Sequence, residues 1–85
     1  MKTFAYTIQD ELGIHIRPAG ELVKESAKFQ SASTLTANGR SADMKRLFAV
    51  MSLAVKHGES VTVTVEGPDE EAAADALLAF FRAKL

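Results

Sequence analysis

From Thr3 to Ile8 the apolar residues Phe4, Tyr6 and Ile8 alternate with Thr3, Ala5 and Thr7. A period of two predicts a strand with one buried face and one threonine-rich face. The alternation returns in SVTVTVE, where Val61, Val63 and Val65 alternate with Ser60, Thr62 and Thr64. Between the two lies STLTANGRSAD, whose Asn38-Gly39 pair supplies the positive φ angles of a type I′ hairpin. Short strands are therefore expected at about 33–37 and 40–43.

Elsewhere the period changes to that of a helix. Ala19, Leu22, Val23, Ser26 and Ala27 fall on one stripe, with Glu21, Lys24, Glu25 and Lys28 on the other side. Pro18 suits the first turn of that helix, where a missing N–H costs nothing. Toward the C-terminus, Gly67-Pro68 breaks the chain, Asp69 is the expected N-cap, and Glu70 and Glu71 occupy the first turn. Ala73, Ala76, Leu77, Phe80 and Phe81 then repeat at helical spacing.

The segment MKRLFAVMSLAVKHGE carries two apolar stripes, one of Leu47, Val50, Met51 and Ala54 and one of Phe48, Met51 and Val55. A short helix on a small sheet needs only one, so either part of this surface is a docking face or both stripes are core. The predicted order is β-α-β-β-α-β-α: an α+β, two-layer open-faced β-sandwich, its four-stranded antiparallel sheet covered on one face by three helices. The threonine-rich face should look at solvent.

Composition narrows the functional classes. The 85 residues are expected to form a single domain over positions 1–85. Ten basic and eleven acidic residues leave a net charge of −1, so no general attraction to nucleic acid or anionic lipid is expected. There is no cysteine, hence no disulfide and no thiolate chemistry. No apolar run approaches the length of a membrane span, and the opening MKTFAYTIQDE meets charges too early for a signal peptide. The expectation is a cytoplasmic protein without membrane insertion.

The candidate chemistry lies in GIHIRPA, residues 13–19, which holds one of the two histidines. His15 falls at the turn between the first strand and the first helix, at or just before a helix N-terminus, where backbone N–H groups lack partners. Those donors and the helix dipole form an anion site, to which Arg17 adds a permanent charge and a planar fork of donors. A simple anion grip would not need imidazole. Imidazole is a nucleophile that stays largely neutral near pH 7 and can carry a covalent group, which points to phosphoryl carriage. The plainer reading is a capping or surface histidine. His57, in KHGE, lacks such neighbours and reads as a loop or helix-end residue; without cysteines or patterned carboxylates the two histidines do not suggest a metal site, and no cofactor is implied.

GIHIRPA resembles the active-site motif Gly-[Ile/Leu]-His-x-Arg-Pro-Ala of the HPr family, the histidine-containing phosphocarrier proteins of the bacterial phosphoenolpyruvate-dependent sugar phosphotransferase system. The resemblance extends over the whole chain through its length, element order, NG hairpin, VMSL segment and the opening of the last helix. It implies that His15 accepts a phosphoryl group on Nδ1 from phosphorylated enzyme I and passes it to IIA components of sugar transporters. Arg17 would stabilise the phosphoryl charge, the amides of Ile16 and Arg17 would bind it, and Gly13 and Pro18 would shape the turn. By the same resemblance Gly20 and Lys24, with Arg46, Leu47, Phe48 and Met51, form the partner-docking surface of a carrier that has no independent enzymatic turnover.

Many relatives carry a serine after the lysine that corresponds to Lys45, where a dedicated kinase phosphorylates it; here the residue is Arg46. That kinase branch is therefore expected to be absent or rewired. Glycines common in the same segment are replaced by Ala49 and Ala54, which suggests a locally different backbone. The alternative to an active carrier is a regulatory HPr-like paralogue acting by protein binding, and a third reading is an unrelated ligand- or RNA-binding sandwich. Near-neutral charge and the lack of strand aromatics on the open face disfavour RNA. Transient carriers need small interfaces, so a monomer is expected.

Overall fold

Strand β1 (Lys2–Thr7) is followed by helix α1 (Ile16–Ala27), the hairpin β2 (Ala32–Ala37) and β3 (Arg40–Asp43), helix α2 (Leu47–Ser52), strand β4 (Ser60–Glu66) and helix α3 (Glu70–Lys84). The computed structural model describes all residues from Met1 to Leu85. The sheet order is β1-β4-β2-β3, and every neighbouring pair is antiparallel. The element order and the open-faced α+β sandwich agree with the periodicity.

Register explains the two faces. Phe4 pairs with Val63, Val63 with Leu35, and Leu35 with Ala42, so one row crosses all four strands on the helix side. Val63 and Leu35 are fully buried. The adjacent row, Ala5, Thr62, Thr36 and Ser41, lies on the open face. There the Thr36 and Ser41 hydroxyls pair at 2.8 Å, and Thr7 and Ser60 pair at 3.1 Å. A one-residue slip would send valines to solvent and threonines to the core, so burial pins the register. Asn38 and Gly39 adopt φ of 54° and 74°, as a type I′ turn requires.

Helix α3 crosses β1 and β4 and touches α1. Its Phe81 is fully buried and meets the rings of Phe4, Tyr6 and Phe80 at centroid distances of 6.0, 5.5 and 6.4 Å. On α1 the stripe Ala19, Leu22 and Ser26 is buried, and the Ser26 hydroxyl is satisfied by donating to the Leu22 carbonyl at 2.9 Å.

Four details depart from the sequence reading. Strand β1 stops at Thr7, and Ile8 is buried just beyond it. Ala27, placed on the α1 stripe, is exposed because it sits on the last turn, past the edge of the core. Asp69 is the N-cap of α3 in position, but its side chain does not cap. Its carboxylate instead accepts the Gln30 and Ser31 amides, both at 2.9 Å, and the Ser31 hydroxyl, tying the α1–β2 connection to the start of α3.

The fourth is α2, which is only six residues long. It ends where Ala54 turns left-handed at φ 51°, so alanine holds a conformation that glycine adopts more readily. The two stripes are thereby resolved. Val50 lies buried on the helix, Val55 is buried beyond its end, and Ala54 and Phe48 face solvent.

Candidate functional site

The turn from β1 to α1 is built on Gly13. Its φ is +68°, and a Cβ there would lie 2.2 Å from the Val55 carbonyl oxygen and 2.8 Å from the Lys56 Cα. Only glycine lets the turn press this closely on the segment that leads from α2 to β4. The next residue locks the contact, since the Ile14 amide donates to the Val55 carbonyl at 3.0 Å and its side chain is buried. That settles why an imidazole stands between two isoleucines. Ile14 is the anchor into the core, and Ile16, 62% exposed, is on the surface.

His15 is the N-cap of α1, with extended backbone at φ −93° and ψ 179°, and its side chain makes no capping bond. Its carbonyl accepts the Ala19 amide at 2.9 Å, closing the first helical turn. Pro18 is buried in that turn and has no N–H. The amides of Ile16 and Arg17 are therefore the donors left without an acceptor in the chain. No acidic residue occupies the first turn to neutralise them. Unpaired amides at the positive end of a helix dipole favour an anion.

A depression of about 400 Å³ opens beside the imidazole, lined by Asp10, His15, Arg17, Pro18, Glu21 and Lys84. Arg17 is exposed and forms no ion pair within the chain, which leaves its guanidinium available. His15 Nε2 lies 3.6 Å from Asp10 Oδ2. The turn thus combines a nucleophile, a pair of backbone donors and a permanent cation. A larger depression of about 750 Å³ lies elsewhere, between Met1, Lys2 and the start of α3; there Glu70 is engaged by the N-terminal ammonium, Glu71 by Lys2 and Asp69 by Gln30 and Ser31, and it holds no nucleophile of this kind.

The residues expected at a docking surface lie on α1 and at the start of and along α2, two helices that pack together. Ile16, Gly20 and Lys24 are spaced at i, i+4 along α1 and so form one row. An added Cβ at Gly20 would meet nothing within 4 Å, so the row dips there into open space. On α2, Leu47 and Met51 are half-buried, while Phe48 is 81% exposed. Arg46 is the N-cap of α2, exposed and without a capping bond, and Lys45 Nζ donates to the Phe29 carbonyl at 2.8 Å. His57 sits outside the depression in an exposed turn, with Nδ1 3.2 Å from the Gln9 carbonyl oxygen.

Sequence reasoning missed Asp10, Lys84 and the exposed side chains of Leu12 and Ile16. The apolar pair carried a signal, since a leucine and an isoleucine flanking a glycine turn cannot both be buried on so short a segment with Ile14. Lys84 carried none, being remote in sequence and brought to the site only by the return of α3.

Residues 2–83 match the family model described as the PTS HPr component phosphorylation site. The phosphocarrier protein HPr of Lysinibacillus sphaericus is 44% identical over 77 residues, covering 91% of this chain and 88% of the relative. The structure of HPr from Thermoanaerobacter tengcongensis superposes with a TM-score of 0.94 at 33% identity, covering 99% of this chain and 94% of the other. The Bacillus subtilis catabolite repression protein Crh, solved as a domain-swapped dimer, gives 0.78 at 31% identity, covering 94% of this chain and 92% of the other. With fold, motif and relatives in agreement along nearly its full length, the chain belongs to the HPr family of bacterial phosphocarrier proteins.

Proposed function

We propose that His15 is the phosphoryl acceptor, receiving the group on Nδ1 from phosphorylated enzyme I and delivering it to IIA components of sugar transporters. The observation that carries this reading is the start of α1. An imidazole stands at the N-cap with its side chain uncommitted to the helix, beside the only two amides of that turn that lack acceptors. Attack by the imidazole brings phosphoryl oxygens toward those donors and the free Arg17 guanidinium, which stabilise negative charge without having to be reorganised. Gly13 and Pro18 hold the turn in shape. The exposed phenyl of Phe48, with Leu47, Met51, Gly20, Lys24 and Arg46, supplies a docking face of the small, quickly broken kind a carrier needs.

In this reading residues 1–85 act as one carrier unit, cytoplasmic and monomeric, that is modified and regenerated without turnover of its own. Arg46 removes the hydroxyl that a serine-specific kinase would use and puts a positive charge in its place. A regulatory role by protein binding alone, suggested by the likeness to Crh, leaves the uncommitted imidazole and free amides without a purpose.

Incubation with phosphoenolpyruvate and enzyme I tests the proposal. Wild type should gain one acid-labile phosphate, and His15→Ala should gain none. A wild type that stays unmodified with several enzyme I homologues would overturn it.

A further inference from the structure

Asp10 is held at three of its polar groups. Its amide donates to the Leu85 carbonyl at 2.9 Å, its carbonyl accepts the Gly13 amide at 2.9 Å, and Oδ1 accepts the Leu12 amide at 2.8 Å. The remaining atom, Oδ2, is the one that faces His15 Nε2 at 3.6 Å. The two side chains are 27% and 33% exposed, so the pair is partly shielded from water. Arg17, Glu21 and Lys84 line the same depression, yet Asp10 is the only acid within ion-pair distance of the ring.

We infer that Asp10 is a positioning residue for phosphoryl transfer, its Oδ2 holding the imidazole proton on Nε2 so that Nδ1 carries the lone pair. The inference rests on His15 being the phosphoryl acceptor. Neutral imidazole has one N–H, and an anionic acceptor beside one nitrogen selects the tautomer with the proton there. The resting separation is longer than a formed hydrogen bond, and such contacts tighten as the reacting complex forms.

The step balances without proton movement. The Nδ1 lone pair forms the bond to phosphorus while the bond from phosphorus to the leaving atom of the phosphorylated donor protein breaks, its electron pair staying on the donor. The proton remains on Nε2. The ring, neutral before transfer, is then a cation, and the Asp10 carboxylate is already set against it. The Leu12 amide makes this aim rigid, because it fixes which carboxylate oxygen is free.

Asp10→Asn is the informative variant. The Leu12 amide is a donor, so it selects the asparagine oxygen and turns the NH₂ group toward His15. A donor now faces Nε2, which favours the proton on Nδ1 and blocks the nucleophile. Long-range ¹H–¹⁵N NMR of the whole, unphosphorylated protein, at a pH where His15 is neutral, should show mainly the Nε2–H tautomer in wild type and a shift toward Nδ1–H in Asp10→Asn. The initial rate of phosphorylation by enzyme I should fall about tenfold with its KM for the carrier unchanged, as expected for the loss of an oriented acid–base partner.

A wild type dominated by Nδ1–H, or an Asp10→Asn protein with wild-type tautomer and rate, would overturn the inference. The NMR measurement needs no donor protein, so it judges the Asp10–His15 contact independently of phosphorylation. Absence of phosphate on wild-type His15 would remove the carrier reading and this role with it. A phosphorylated wild type with an indifferent Asp10→Asn variant would remove this role alone.

Discussion

Two helix starts in this small protein are treated in opposite ways. At the start of α1 the N-cap side chain, His15, makes no bond to its helix, the first turn holds no acid, and the Ile16 and Arg17 amides lack acceptors. At the start of α3 the N-cap carboxylate of Asp69 is saturated by Ser31 and Gln30, Glu70 accepts the Gly67 amide and pairs with the N-terminal ammonium at 2.5 Å, and Glu71 pairs with Lys2 at 3.2 Å. Both starts have the same dipole. One is closed by tertiary contacts, while the other keeps its donors unpaired.

The largest effect should come from breaking the scaffold of the open start. Gly13→Ala puts a methyl 2.2 Å from the Val55 carbonyl oxygen at a positive φ, so the turn must move. Overpacking together with left-handed strain should destabilise the fold by about 3 kcal/mol, read by urea denaturation, and phosphorylation of His15 should fall in parallel. A variant as stable and active as wild type would show that the close approach to Val55 is unimportant.

The closed start should respond differently. The bonds from Ser31, first among the causes, and from Gln30 hold the Asp69 carboxyl below the usual carboxylate range. Glu70 is lowered chiefly by its hydrogen bond to the N-terminal ammonium, then by the Gly67 amide. A lowered folded pKa contributes stability that is complete above the unfolded value and is lost as pH falls through the folded one. Asp69→Asn should therefore be less stable at neutral pH and show a shallower loss of stability on acidification, while His15 is phosphorylated at the wild-type rate. A loss of phosphotransfer without a loss of stability would contradict the division of labour between the two helices.

The smallest effect concerns the third helix start. Arg46 is an N-cap without a capping bond. Arg46→Ser should stabilise the protein by about 0.5–1 kcal/mol in thermal denaturation, since serine can accept an amide of the first turn. Because Arg46 belongs to the proposed docking face, any change in His15 phosphorylation should appear in the KM for the carrier and not in the maximal rate.

The comparison also shows what a sequence can express. Strand alternation, the NG hairpin, the α1 stripe and the histidine at a strand-to-helix turn are local signals, and each was read from neighbouring residues. The role of Asp69 depends on partners 38 and 39 residues away, so its acid-rich surroundings suggested a cap where the structure has a tertiary clamp. The end of α2 is hidden from the sequence for a related reason. Its apolar spacing continues through Val55, but the buried position of Val55 beside Ile14 is reached only after the chain turns at Ala54. At the site, His15, Arg17 and the two amides were legible from GIHIRPA. Asp10 was not, because its approach to His15 depends on how Leu12 and Leu85 hold it, which no spacing encodes.

The central claim is that the open start of α1 receives the phosphoryl group. It is tested most directly by comparing backbone amide spectra of the ¹⁵N-labelled protein before and after phosphorylation by enzyme I and phosphoenolpyruvate. The account predicts the largest amide shifts at Ile16 and Arg17, phosphate on His15 Nδ1, and an unperturbed α3 start at Glu70 and Glu71. Phosphate on His57, or phosphorylation that leaves the Ile16 and Arg17 amides unmoved, would contradict it.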